Sequence, residues 1–271
     1  MDLINKVVIV TGGGSGIGKA IAISFAQKGA IVVISGRRES PLLETVEMIR
    51  KMGGNSIAIP TDVTDSSQVE KMVNIVLKKY NKIDILINNA GILKTNPVHL
   101  LSEMEWDNVI DTDLKSVYLC SKSVLPSMFA SGSGIIINIS SVLGKTGIAN
   151  YSSYCASKFG VIGFTESLAA ECKEKGILVY SVCPGSTNTE LHRSVVGVDA
   201  AKFAMSPQMI SETIVKLVLA RYKPPAGISI ILDNPTPLPL KVRIKNIIGR
   251  MHKIIFYPYA MIQKIKNMGW K

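Results

Sequence analysis

Acidic residues are missing from the last part of this 271-residue sequence: from Asn234 to Lys271 there is no Asp or Glu, while Lys241, Arg243, Lys245, Arg250, Lys253, Lys264, Lys266 and Lys271 carry positive charge. Most of the formal net charge of +11 therefore sits in a tail, and the residues before it are only slightly basic. That distribution excludes a uniformly basic nucleic-acid-binding domain. Metal-ligand spacing is missing too. Cys120, Cys155, Cys172 and Cys183 form no CxxC pair and have no neighbouring His, so they read as reduced, buried thiols. No uncharged apolar run approaches the roughly 20 residues a membrane-spanning helix needs. Met1 to Val10 is a short strand pattern with Asp2 near its start and no small-residue cleavage site, so neither a secretory signal nor a transit peptide is expected, and a cytoplasmic location is. Charged residues make up 19% and hydrophobic ones 47%, too little charge for a disordered chain and enough apolar material for one large core.

What is present is a regular alternation. Val7 to Val10, Ile31 to Ile34, Ser56 to Ile59, Ile83 to Ile87, Gly134 to Ile139, Leu178 to Val182 and Ile228 to Leu232 are short, β-branched runs flanked by turn residues, and predict seven strands. Helical periodicity fills the gaps at Lys19 to Lys28, Leu42 to Met52, Ser67 to Tyr80, Met104 to Phe129, Ser153 to Lys175 and Pro207 to Arg221. Continuous apolar strands alternating with helices imply a doubly wound α/β fold, a parallel seven-stranded Rossmann-type sheet covered on both faces. The Pro-rich stretch Asp233 to Pro239 predicts a boundary between a domain at 1–233 and an extension at 234–271.

The first strand runs into Thr11-Gly12-Gly13-Gly14-Ser15-Gly16-Ile17-Gly18, after which helical periodicity begins. Glycines at such a junction let the chain turn tightly and approach a pyrophosphate, with the helix N-terminus facing the anion. Gly12, Ser15, Gly16, Ile17 and Gly18 are the expected dinucleotide cradle, although a plain strand-to-helix turn also favours glycine. Tyr154 and Lys158, four apart at the start of a helical segment, project from one face. An ammonium beside a phenol favours phenolate, so this pair predicts a proton-transferring tyrosine.

With Asn88-Asn89-Ala90-Gly91, Ser141, Tyr154-Cys155-Ala156-Ser157-Lys158 and Pro184-Gly185 following the glycine loop in order, residues 4 to 233 resemble the short-chain dehydrogenase/reductase family, and are most similar to its 3-oxoacyl-thioester reductases. The resemblance implies Ser141, Tyr154 and Lys158 as the catalytic set, with Ser140 as a rival to Ser141 for hydrogen bonding to the substrate oxygen. It gives Tyr154 and Lys158 contacts to the nicotinamide ribose. Asn89, Ala90 and Gly91 fall on the adenosine side, Asp62 and Val63 at the adenine ring, and Pro184, Gly185, Thr187 and Thr189 at the carboxamide and phosphates. It also implies a homodimer or homotetramer built on the helical stretches Met104 to Phe129 and Ser153 to Lys175.

Several positions depart from the family pattern. Where members carry Asn before the catalytic strand, this chain has Asp113, which can keep the local kink, pair with Lys158 and weaken its effect on Tyr154, or simply face solvent. After the second strand, where a carboxylate would accept hydrogen bonds from the NAD ribose, Gly36 is followed by Arg37 and Arg38, which suit a 2′-phosphate and favour NADP(H) over NAD(H). The lid, Glu190 to Met205, is apolar enough for a hydrophobic substrate, and its His192 either touches substrate or lies on the surface. In the extension, Ile244, Ile247, Ile248, Met251, Ile254 and Ile255 recur at helical spacing among Lys and Arg. This predicts a basic amphipathic helix that can lie peripherally on an anionic membrane, dock an acidic partner, or pack on its own domain. Two functions follow: an NADPH-dependent carbonyl reductase of hydrophobic ketones such as 3-oxoacyl thioesters, or a non-catalytic dinucleotide-binding scaffold or redox sensor that recruits partners through the tail.

Overall fold

In a computed structural model of the chain, residues 2–232 are described, apart from residue 202 and residues 221–223. The predicted helix of the 234–271 extension lies outside the described residues.

Seven parallel strands form one sheet in the order β3-β2-β1-β4-β5-β6-β7. They are β1 (Val7–Thr11), β2 (Ile31–Gly36), β3 (Asn55–Pro60), β4 (Ile85–Asn88), β5 (Gly134–Ile139), β6 (Ile177–Pro184) and β7 (Ser229–Leu232). Every predicted run holds a strand, and only the ends differ. The central strands are buried on both faces, which is why their sequences are continuously apolar rather than alternating. Period-two geometry then divides one strand between two cores. Val8 and Val10 of β1 pack on one side with Phe25 from α1 (Gly16–Ala26), Ile49 from α2 (Glu39–Lys51) and Ile214 from α9 (Pro207–Leu219). Val7 and Ile9 pack on the other with Val73 from α3 (Ser66–Tyr80), Val124 from α5 (Ser116–Ser131) and Leu168 from α6 (Ser152–Cys172). All four cysteines are buried free thiols, and burial pushes Cys120 up to about 12. No helix among the described residues is long and apolar enough to cross a membrane.

Local signals place the helix starts. Asp65 accepts hydrogen bonds from the Ser67 and Gln68 amides ahead of α3, and Ser102 and Glu105 form a reciprocal capping box on α4 (Glu103–Ile110). The stretch Met104 to Phe129 is helical throughout but not uniform: between α4 and α5, residues Asp111–Lys115 widen into a π-turn, where Asp113 is buried.

Another tie joins the amino ends of the central strands β1 and β4. The Asp84 carboxylate accepts from Lys6 Nζ at 2.9 Å and the Val7 amide at 2.9 Å, and pairs with Lys82 at 3.1 Å. Burial alone would raise this carboxyl, but these three partners outweigh it and hold it below its ordinary value. A carboxyl lowered on folding contributes stability that is present above about pH 4 and lost as the pH falls through the folded value. Asp84→Asn is expected to cost about 1–3 kcal/mol at pH 7. Urea denaturation across pH should show its gap to wild type closing in acid.

Candidate active site

Because β2 and β4 flank β1, the chain diverges to opposite sides of the sheet beyond the carboxyl ends of β1 and β4, the place where open α/β sheets hold ligands. Thr11 holds this junction. Its hydroxyl accepts from the Asn89 amide at 2.9 Å and the Ala90 amide at 3.0 Å, while the Asn89 side chain donates to the Thr11 carbonyl at 2.9 Å. Below them a buried polar chain runs from Ser121 through Asn88 and Asn138 to Thr165, with contacts of 3.1, 2.8 and 2.9 Å, fixing β4 and β5 against α5 and α6.

A cavity of about 750 Å³ opens above these strand ends. Along one wall runs the glycine loop. Gly12 and Gly16 adopt positive φ of 66° and 52°, and Ser15, which precedes α1, makes no side-chain cap to the helix. The first amides of α1 thus face the cavity without a capping acceptor, and the first turn contains no acidic residue to compete for them. Gly12, Ser15, Gly16 and Ile17 line the cavity. Gly18 has a different task. A Cβ there would lie 2.4 Å from both the Asn89 amide nitrogen and the Gly12 carbonyl oxygen, so its absence permits α1 to close against β4. The cavity also takes in Arg37, Arg38, Asn89, Ala90, Gly91, Pro184, Gly185, Thr187 and Thr189. Asp62 and Val63 line an adjacent recess of about 170 Å³ that shares both arginines. Arg37 and Arg38 are exposed, and among the described residues neither belongs to an ion pair.

The opposite wall carries the titratable set. Tyr154 and Lys158 project from the first turns of α6, and Ser141 follows β5 directly. Geometry separates the two serines: Ser140 Oγ donates to the Lys158 carbonyl at 2.9 Å and is committed to the backbone. Ser141 Oγ accepts from the Leu143 amide at 3.1 Å, lies 3.5 Å from the Pro184 carbonyl, and lowers the Tyr154 phenol by hydrogen bonding. Lys158 Nζ donates to the Ile139 carbonyl at 3.2 Å and stands 5.5 Å from the Tyr154 ring centre. Asp113, fully buried rather than solvated, accepts from the Ile92 amide at 2.7 Å through Oδ1 and brings Oδ2 within 3.1 Å of Lys158 Nζ.

The electrostatic outcome differs from the tyrosine–lysine pair taken alone. Burial holds the Tyr154 phenol above its ordinary value; Lys158 opposes this, and the Asp113 charge reinforces it. Burial likewise raises the Asp113 carboxyl against the pull of Lys158. For Lys158 itself, burial acts downward, but Asp113 and then Tyr154 outweigh it and the net direction is up. This wall presents a phenol held toward its protonated form beside Asp113 and Lys158, which are buried against each other at 3.1 Å. Such a phenol can give a proton to an oxygen placed against it, and the Ser141 hydroxyl can share that contact.

Sequence reasoning left the apolar lining and the lid's structure unread. Leu93, Val142, Leu143, Ile148 and Tyr151 face the cavity, signalled only by their position beside the motif residues. The lid, read as a loop, contains α7 (Glu190–Val196) and α8 (Val198–Ala201), with Thr189 capping the first through the His192 amide. Thr189 also sits over the glycine loop, where a Cβ on Gly16 would meet its methyl at 3.1 Å. His192 is half-buried in the cavity wall, and burial lowers its imidazole below the usual value.

The comparisons agree with this geometry. Residues 6–197 match the family model for short chain dehydrogenases. A 3-oxoacyl-[acyl-carrier-protein] reductase FabG of Staphylococcus aureus is 37% identical over 218 residues, covering 80% of this chain and 85% of that protein. Its counterpart from Chlamydia pneumoniae is 41% identical over 191 residues, 70% of this chain and 77% of that one. Among solved structures, levodione reductase superposes with a TM-score of 0.82 at 29% identity, covering 86% of this chain and 97% of that one. An actinorhodin polyketide ketoreductase variant with NADPH gives 0.81 at 29% identity, with 85% and 96% covered. The motif match, the sheet order and the residues gathered at its switch point lead to one assignment: the chain belongs to the short-chain dehydrogenase family and is an NAD(P)-dependent oxidoreductase.

Proposed function

We propose that the protein is an NADPH-dependent carbonyl reductase acting on a hydrophobic ketone such as a 3-oxoacyl thioester. The observation that carries the reading is the placement of the Tyr154 phenol beside Ser141 and the buried Asp113–Lys158 pair, on the wall facing an uncapped helix N-terminus. That amide-lined N-terminus and the glycine loop fit a pyrophosphate, and Arg37 and Arg38 offer unpaired guanidinium groups to a 2′-phosphate. Asp62, Val63 and Asn89 to Gly91 would border the adenosine, with Pro184, Gly185, Thr187 and Thr189 toward the nicotinamide and phosphates. A bound dihydronicotinamide supplies the hydride. Ser141 and Tyr154 hold the substrate oxygen by hydrogen bonds, and Tyr154 gives that oxygen its proton as negative charge develops. Lys158, fixed by the Ile139 carbonyl and Asp113, orients the phenol. Leu143, Ile148, Tyr151 and Leu191 would receive an acyl or alicyclic group.

The names of the relatives support the same reaction class, since both the reductases and the ketoreductase are named for carbonyl reduction. Residues 1–233 would form the catalytic domain in the cytoplasm, and residues 234–271 a basic extension free to engage an anionic surface, an acidic partner or its own domain. Tyr118, Phe129 and Phe159 on α5 and α6 are exposed and would lie in a homodimer or homotetramer interface.

NADPH oxidation followed at 340 nm against 3-oxoacyl thioesters, diketones and quinones tests the reading, with NADH and Arg37→Ala in parallel. We expect turnover with NADPH. Arg37→Ala should lose about 10- to 100-fold in NADPH affinity, the worth of one charge-assisted contact, and change NADH affinity little. Equal use of both cofactors by wild type would contradict the 2′-phosphate assignment.

A further inference from the structure

Among the described residues, Asp113 and Lys158 are the only charged side chains that are buried, and they are buried against each other at 3.1 Å. The carboxylate reaches this position because the backbone widens into the π-turn Asp111–Lys115, and the Ile92 amide anchors its other oxygen at 2.7 Å. Lys158 Nζ has a second anchor in the Ile139 carbonyl, so the ammonium is held between a carboxylate and the Tyr154 ring. A lone ammonium at this range from a phenol would draw off its proton at modest pH. Burial is the first cause that holds the phenol up, and the carboxylate beside the ammonium offsets part of the ammonium's opposing pull.

We propose that Asp113 is a positioning residue that offsets the charge of Lys158 beside Tyr154, favouring the protonated phenol and so biasing the site toward giving a proton to a substrate oxygen. The inference rests on Tyr154 being the proton-transferring group of the proposed carbonyl reductase. In that step the substrate carbonyl carbon would take a hydride from a dihydronicotinamide, which would be oxidised to the positively charged nicotinamide ring. The Tyr154 O–H bond breaks as an O–H bond forms on the substrate oxygen, and the phenolate regains a proton from solvent. The reverse reaction needs the phenolate at the outset, and the Asp113 charge disfavours it.

The other titratable groups around the phenol do not supply the missing positive charge. Cys155 on α6 and Cys183 on β6 are thiols, and burial raises Cys183 further from ionisation. On the lid, His192 is pushed toward its neutral form by burial, and the exposed Glu190 carries negative charge. Arg37 and Arg38 stand at the exposed end of β2, in the part of the cavity shared with the adenine-side recess.

Tyrosine ionisation can be read directly, without any substrate, by labelling the full chain with tyrosine carrying ¹³C at Cζ and following the eight resonances against pH, with Tyr154→Phe identifying the relevant one. Wild-type Tyr154 is expected to titrate above the ordinary value of a phenol. In Asp113→Asn, which keeps an acceptor for the Ile92 amide, the midpoint should fall by about 1–2 units, the effect of one buried charge at this range. Alcohol oxidation by that variant should gain activity toward lower pH by the same interval. Asp113→Ser serves as a second neutral variant should the Asn form not fold. A wild-type midpoint below about 9 overturns the proposal whatever the variants do. So does an unmoved midpoint in either variant that retains its wild-type thermal transition. Because the titration needs no turnover, it stands or falls separately from the carbonyl reductase reading.

Discussion

Tyr154→Phe is expected to lower kcat for carbonyl reduction by about 10²–10⁴-fold, the range contributed by a positioned general acid. Nothing else in the cavity wall is placed to replace it. Ser141 can donate a hydrogen bond, but a hydroxyl that accepts from the Leu143 amide and leans on the Pro184 carbonyl is a poor proton source. Lys158 is bound to the Ile139 carbonyl and to Asp113, and its ammonium is raised further from release by that carboxylate. The substitution removes one hydroxyl from a half-buried ring and leaves the glycine loop, Arg37 and the lid unchanged. NADPH affinity should therefore change by no more than about tenfold, the worth of one hydrogen bond. A loss confined to KM, or a variant retaining more than a tenth of wild-type turnover, would remove Tyr154 from the chemistry.

The second large effect is on stability, and its size depends on pH. Lys158→Met leaves the Asp113 carboxylate buried without its counter-ion, a change that costs about 3–5 kcal/mol at neutral pH. Burial already holds this carboxyl above its ordinary value, and losing the ammonium raises it further. A carboxyl whose folded value exceeds its unfolded value binds more protons in the folded state, so stability falls as pH rises from about 4 toward the folded value. The variant should thus be closest to wild type in acid and weakest above neutrality. Adding Asp113→Asn to Lys158→Met should restore most of the loss, because no buried charge then remains. Denaturant melts of the four members of this cycle at pH 5 and pH 8 measure it. Equal losses at both pH values, or no rescue by the second change, would show that the pair does not carry the charge assigned to it.

Most of the fold was legible because its signals are local. Seven β-branched runs became seven strands, since a parallel sheet covered on both faces demands continuous apolar residues and little else in this chain has that pattern. The π-turn Asp111–Lys115 was legible only as the kink that the resemblance placed at Asp113, because ordinary helix formers surround it. The sequence left three roles open for Asp113, keeping that kink, pairing with Lys158 or facing solvent. The tertiary arrangement decides against solvent by bringing Lys158 and the Ile92 amide to its two oxygens. Spacing from Tyr154 favoured Ser141 over Ser140 only through the family resemblance, whereas the contact from Ser140 to the Lys158 carbonyl gives a physical reason for the difference. Gly18 was read as part of the cradle and is instead a packing glycine beneath it, a distinction that depends on where Asn89 sits. The cavity's apolar residues carry no motif, because a hydrophobic wall is recognised by shape and not by residue order.

The most direct test of the account follows the hydride itself. Wild-type protein is supplied with NADPH deuterated at C4 of the nicotinamide and with the 3-oxoacyl thioesters and diketones of the assay panel, and the products are examined by mass spectrometry. The account predicts an alcohol carrying one deuterium on the former carbonyl carbon, at a rate that Tyr154→Phe abolishes. Tight NADPH binding with no deuterium in any product would contradict it and favour a dinucleotide-binding scaffold or redox sensor.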